Sequence, residues 1–267
     1  MIRAAHAALL AALAACAPVA QRPEGHVGPV LGRVTVAGRT FAASRAGVFE
    51  EHGATLRPLP DPGLRVFALA AAAGAPPRLL VAGGTPARSG EVALLDLDGA
   101  VCARARVADD VVYAVACAPD GGTAAAGCAD GRVLVGAPAH LAGMRTAWRH
   151  TGAVQAVAFA PDGGALASGG LDGRILIGAP DVQAAPREVP DHTDGVLCLA
   201  WAPDGGLLAS GARDGKVRLH ERGGRLVRTW PRLGGAVQGV VWQADQIRYS
   251  LAARGGEPAR AGSLPTR

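Results

Sequence analysis

The pentapeptide Ala-Pro-Asp-Gly-Gly recurs at a fixed interval of 42 residues, at 118–122, 160–164 and 202–206. A second signal keeps step with it. Asp130-Gly131, Asp172-Gly173 and Asp214-Gly215 each begin ten residues after the Asp of the first. Two turn signals held in one register over three copies define a repeating structural unit.

Between the turns, Tyr113 to Cys117, Gln155 to Phe159 and Leu197 to Trp201 alternate with period two, which is strand and not helix periodicity. Bulky groups occupy one face. Ala114, Ala116, Ala156, Ala158, Cys198 and Ala200 leave the other nearly flat, so the large face of one unit can stack on the small face of the next. Small-residue strands follow each Pro-Asp-Gly-Gly turn, at Thr123 to Cys128, Ala165 to Gly170 and Leu207 to Ala212. The Asp-Gly turns come next, with Gly supplying the positive φ of a tight hairpin. Third strands start at Arg132, Arg174 and Lys216, and fourth strands are expected at Met144 to Trp148, Arg187 to Val189 and Leu226 to Trp230. Four antiparallel strands per ~40 residues make the blade of an all-β propeller.

At these residues the chain resembles the WD-repeat β-propellers. Their repeats carry a Gly-His before the first strand, a Pro-Asp-Gly turn, a Ser-Gly in the second strand, an Asp-Gly turn and a closing Trp-Asp. His150-Thr151-Gly152, His192-Thr193-Asp194, Ser168-Gly169, Ser210-Gly211 and the two sets of turns match that pattern. The resemblance implies a hydrogen-bonded blade network of His150, Ser168 and Asp172, and a second of His192, Ser210 and Asp214. It also implies a departure. The Trp position holds Gly136, Gly178 and His220, and Asp130 has Ala108 and Ala126 where the family has His and Ser.

Weaker signals extend the array. Val66 to Leu69, Leu79 to Gly84 and Glu91 to Asp96 form a degenerate blade, with a longer loop over Thr85 to Gly90. Arg33 to Val36, Phe41 to Ser44, Val48 to Glu51 and Thr55 to Leu59 form another, and Val237 to Trp242 with Ile247 to Leu251 begin a last, incomplete one. The expectation is about six blades, or seven. Closure is expected from strands of both termini, with residues near Val27 to Leu31 as the N-terminal contributor, because an incomplete blade leaves unpaired sheet edges.

The N-terminus carries Arg3 and then an apolar run, Ala4 to Ala15, too short for a comfortable membrane span. It ends in Leu13-Ala14-Ala15-Cys16, which resembles a bacterial lipoprotein lipobox and implies lipidation of Cys16. The expected organisation is a signal peptide over 1–15, a lipidated Cys and tether over 16–27, a propeller over 28–256, and a C-terminal tail over 257–267. The clearest blades are 108–150, 151–190 and 191–232. This places the protein in the periplasm on a membrane anchor. The alternative, an Ala-rich tail without a signal, leaves it cytoplasmic. The remaining Cys102, Cys117, Cys128 and Cys198 are read as buried free thiols, with two disulfides as the alternative.

With 27 basic against 22 acidic residues the net charge is +5, but no aromatic-interleaved basic stripe argues for nucleic acid. The sequence holds no nucleophile elbow, phosphate-cradling loop, zinc-protease helix or haem attachment, and no cofactor or metal is expected. Asp120, Asp162 and Asp204 recur in register, yet in a Pro-Asp-Gly turn Asp accepts local backbone hydrogen bonds. Arg132, Arg174 and Lys216 could form a weak basic arc, although solvated strand starts are the simpler reading. The four Trp are assigned to packing, and His26, His52 and His140 to the surface.

The function expected is a non-enzymatic, monomeric scaffold of the bacterial envelope. It would bind protein partners through loops on the propeller face that bears Ala129, Leu171 and Arg213. The alternative is an envelope enzyme or a maturation factor for a redox enzyme, with His or carboxylates converging on the central channel.

Overall fold

A computed structural model of the chain describes residues 30–189, 192–231, 233–244, 246–252 and 260–266. Alternating apolar positions and tight turns fold it into antiparallel sheets arranged as a six-bladed propeller. The first blade comprises β1 (Val30–Val36), β2 (Arg39–Ser44), β3 (Gly47–His52) and β4 (Thr55–Pro58). The second comprises β5 (Val66–Ala72), β6 (Arg78–Thr85), β7 (Ser89–Leu95) and β8 (Val101–Ala108). The three regular blades follow. They are β9 (Val112–Cys117) to β12 (Arg145–Arg149), β13 (Val154–Phe159) to β16 (Arg187–Val189), and β17 (Val196–Trp201) to β20 (Leu226–Trp230). Between their ends run β10 (Ala124–Cys128) and β11 (Arg132–Gly136), β14 (Leu166–Gly170) and β15 (Ile175–Gly178), and β18 (Leu207–Ala212) and β19 (Val217–Glu221). The sixth sheet pairs β21 (Val237–Gln243), β22 (Gln246–Leu251) and β23 (Ala261–Pro265).

Several expectations change. The propeller does not stop at 256, because Ala261–Pro265, assigned to a tail over 257–267, pairs with β22 as the third strand of the last sheet. Val30 and Leu31, expected to supply an N-terminal strand to that sheet, open β1 of the first blade, where β1 pairs with β2. Val27 to Pro29 lie outside the described residues, as do the signal peptide, Cys16 and the tether up to residue 27. The eight-residue outer strand β8 and a 3-10 helix over Pro138–Gly143 carry no turn or period signal that the sequence reading used.

The core lies between blades. Ala114, Ala116 and Ala118 of the third blade pack against Val157, Phe159 and Leu166 of the fourth in one buried cluster. Ala156, Ala158 and Ala160 in turn meet Leu199, Trp201 and Leu208 of the fifth. A flat small-residue face receiving a bulky face lets adjacent twisted sheets approach closely without voids. Two tryptophans add a directional contact. Trp201 donates its indole N–H to the Ala158 carbonyl at 3.0 Å, and Trp242 donates to Ala200 at 2.9 Å, each across a blade boundary. The glycine of each Ser-Gly has the same origin. A Cβ at Gly169 would sit 2.5 Å from Val196 Cγ1 of the next blade, and one at Gly211 would sit 2.5 Å from Val237 Cγ1.

Candidate functional site

Each inner strand begins beside the turn between its second and third partners, as in Val66 opposite Gly83 and Val196 opposite Ala212. All these turns, and the loops entering the inner strands, therefore share one end of the disc. Backbone bonds tie the two sets together, including Ala129 N–H to Val111 O, Leu171 N–H to Ala153 O and Arg213 N–H to Gly195 O. Ala129, Leu171 and Arg213 thus lie on the end where the blade networks are built.

In the fourth blade, His150 Nδ1 lies 3.1 Å from Asp172 Oδ1, and Nε2 lies 2.9 Å from Ser168 Oγ. A carboxylate can only accept, so Nδ1 carries the proton and Nε2 accepts from the Ser168 hydroxyl. Burial lowers the His150 pKa despite the Asp172 charge, so the imidazole is neutral. Burial works to raise Asp172, but His150 beside it and the N–H groups of Arg174 and Thr151 hold it below the usual carboxylate range. Thr151 N–H donates to Asp172 Oδ2 at 2.9 Å, so the aspartate also closes the entry loop.

The fifth blade repeats the triad with His192 Nδ1 at 3.1 Å from Asp214 Oδ2 and Nε2 at 2.8 Å from Ser210 Oγ. A fourth member joins it. Arg218 is buried, donates to Asp214 Oδ2 at 2.9 Å, and lies against His192 Nδ1. Burial pushes His192 down to about 4. Burial opposes the shift of Asp214, and the Arg218 hydrogen bond leads the groups that bring it to about 2. Asp130, without His or Ser partners, pairs instead with Arg132 Nε at 2.6 Å on the same turn.

Asp120, Asp162 and Asp204 each accept the N–H of the second glycine of their turn at 2.9 Å. Asp162 also takes Arg222 of the next blade at 2.6 Å. The candidate basic arc is largely neutralised, with Arg132 on Asp130 and Arg174 on Glu188. Cys128 and Cys198 are buried, and Cys117 is partly buried. Cys102 is exposed, contrary to its assignment as a buried thiol, because β8 is an outer strand with alternate residues facing solvent. Among the described residues, no group of three or more His, Cys, Asp or Glu could hold a metal ion.

Sequence reading missed one feature of this end. The strand register skips one residue near the start of every inner strand, so that Leu31, Phe67, Tyr113, Gln155, Leu197 and Gln238 each fall out of the ladder as bulge residues. A bulge re-aims its side chain, and these six positions recur once per blade around the centre of the disc. Phe67 and Tyr113, from adjacent blades, meet edge to face with centroids 5.6 Å apart.

Three segments of the chain, 105–135, 144–177 and 185–221, match the family model described as WD40, WD domain, G-beta repeat. Each segment contains residues of the outer strand of one blade and inner strands of the next, so the sequence repeat is offset from the structural blade. No curated protein matches the chain.

Proposed function

We propose that the three WD40 repeats and the blades flanking them form a non-enzymatic protein-interaction scaffold, held at a bacterial cell envelope as a lipoprotein through Cys16. The observation that carries the scaffold reading is where the recurrent polar residues are spent. His150, His192, Asp172 and Asp214 bond to one another and to the neighbouring Ser and backbone groups. Asp120, Asp162 and Asp204 are bonded within their turns. What differs from blade to blade is the end surface of turns, entry loops and bulge residues, and surface variation on a rigid frame is how such folds acquire partners. The anchor rests on Leu13-Ala14-Ala15-Cys16 behind an apolar run. A thioether-linked diacylglycerol plus an N-acyl chain supplies the multiple chains that stable membrane attachment needs.

Crosslinking in intact cells followed by mass spectrometry tests the scaffold reading. Specific partners are expected with the wild-type chain and are reduced by Leu171→Glu with Arg213→Glu. An unchanged partner set in that variant would place the surface elsewhere, and no specific partner at all would overturn the reading. Cys16→Ser is expected to abolish metabolic labelling with palmitate and to release the chain from membranes. Unaltered fractionation and labelling would remove the anchor.

A further inference from the structure

The first and second blades meet on this end surface. There the β2–β3 turn, with Arg45 and Ala46, and the loop entering β5, with Asp61, Gly63 and Arg65, flank a cleft of about 350 Å³. Both arginines are exposed, and both lie over one ring: Arg45 Cζ is 5.5 Å and Arg65 Cζ 5.6 Å from the Phe67 centroid. Phe67 is the bulge residue of its blade and is braced by Tyr113.

Several other arginines of the first two blades are occupied. Arg33 pairs with Glu51, Arg39 with Glu50, Arg104 with Glu91 and Arg106 with Asp109. Among the described residues, neither Arg45 nor Arg65 is assigned an ion pair. The acid nearest in the cleft, Asp61, accepts the N–H of Gly63 at 2.8 Å. The Phe67 ring attracts both guanidiniums through its negative face, holding two like charges at one cleft while their N–H forks stay open.

The geometry points to a carboxylate-recognition site: an acidic peptide segment of a partner protein docks here, with a Glu or Asp side chain accepting from Arg45 and Arg65 above Phe67. This assignment rests on the scaffold reading and names the chemistry of its partner. Charge complementarity selects a discrete carboxylate, since planar forks match its two oxygens.

The test uses the purified full-length chain and a fluorescein-labelled hexaglutamate peptide, read by anisotropy at low and physiological salt. Salt-sensitive binding is expected. Arg45→Gln with Arg65→Gln should weaken it about tenfold or more, while Arg145→Gln, exposed on the outer strand β12, changes it less than about twofold. Phe67→Leu should give an intermediate loss. Thermal unfolding is measured alongside, and the exposed double variant should unfold as the wild type does. Lack of hexaglutamate binding by the wild type, or an equal loss with Arg145→Gln, would overturn the site. Tighter arginine-dependent binding of a hexaphosphoserine peptide would overturn the carboxylate assignment. Arginine-dependent capture by phosphatidylglycerol vesicles in place of peptide would overturn the protein occupant. If the double variant retains every crosslinked partner in cells, this site fails and the scaffold reading stands.

Discussion

Arg218 donates to Asp214 Oδ2 at 2.9 Å beside His192, whereas the equivalent strand position in the preceding blade, beside His150, is Leu176. Asp214 Oδ2 also lies 3.1 Å from His192 Nδ1 and can only accept, so Nδ1 keeps its proton as in His150, Nε2 accepts from Ser210, and the guanidinium is held by the carboxylate. Nitrogen-15 NMR of the two imidazoles should therefore show the Nδ1–H tautomer in both. Arg218→Leu should leave the His192 tautomer unchanged at a cost below about 2 kcal/mol, because it removes a buried charge whose apolar equivalent already works in the adjacent blade. Asp214→Asn, which leaves the Arg218 charge buried without its counter-ion, should cost about 3–5 kcal/mol by denaturant unfolding. Opposite tautomers in the two blades would refute this.

The same histidine sets an acid limit. His192 has a folded pKa of about 4 against an ordinary value of 6.5, so between those values the unfolded chain binds a proton that the folded chain refuses. Stability is thus intact above pH 6.5 and falls toward pH 4, by on the order of 3 kcal/mol from this residue. His150 acts in the same direction. Asp214, lowered from 3.8 to about 2, adds a further loss as pH drops through that lower interval. Urea unfolding across pH 4 to 7 should show the slope, and His192→Asn should flatten it. A flat wild-type profile over that range would rule the account out.

Gly121 and Gly163 occupy the same place in identical Pro-Asp-Gly-Gly turns, at φ +73° and +72°. Their surroundings differ. A Cβ at Gly163 would meet only Pro119 Cδ at 3.7 Å, while one at Gly121 would lie 1.4 Å from the Ala73 carbonyl oxygen. Both substitutions by Ala should cost about 1 kcal/mol for the left-handed backbone, and Gly121→Ala should cost roughly a further 1–3 kcal/mol for displacing the β5–β6 loop. Equal midpoint shifts in the two variants would contradict the packing argument.

Thiol labelling should separate the described cysteines by environment. Cys102, exposed on β8, should react with iodoacetamide in the folded protein within minutes. Burial pushes Cys117 up to about 11 and Cys128 up to about 12, so neither presents thiolate at neutral pH. Peptide mapping should find Cys128 and Cys198 labelled only after unfolding.

The turns and strand alternation of the three regular blades were legible because their causes are local. Pro presets φ, Asp caps the turn, Gly takes positive φ, and side chains alternate along a pleat. The His, Ser and Asp partners were legible only through the resemblance to WD repeats, and the folded blades bring them into hydrogen-bond range. Outside those blades the local signals thin out, and β8 and β23 form because each pairs with a strand already in place.

What the sequence determined by itself is the unit: a four-stranded blade, its turns and its small and large faces, all set by interactions within about ten residues. What only the tertiary structure decided is how units meet. Blade contact makes Gly169 face Val196, gives the Trp201 indole its carbonyl, drives Phe67 against Tyr113, and gathers Arg45 and Arg65 on one ring. None of these is set by local propensity, because each joins residues from separate strands or loops and exists only after stacking has fixed their distance.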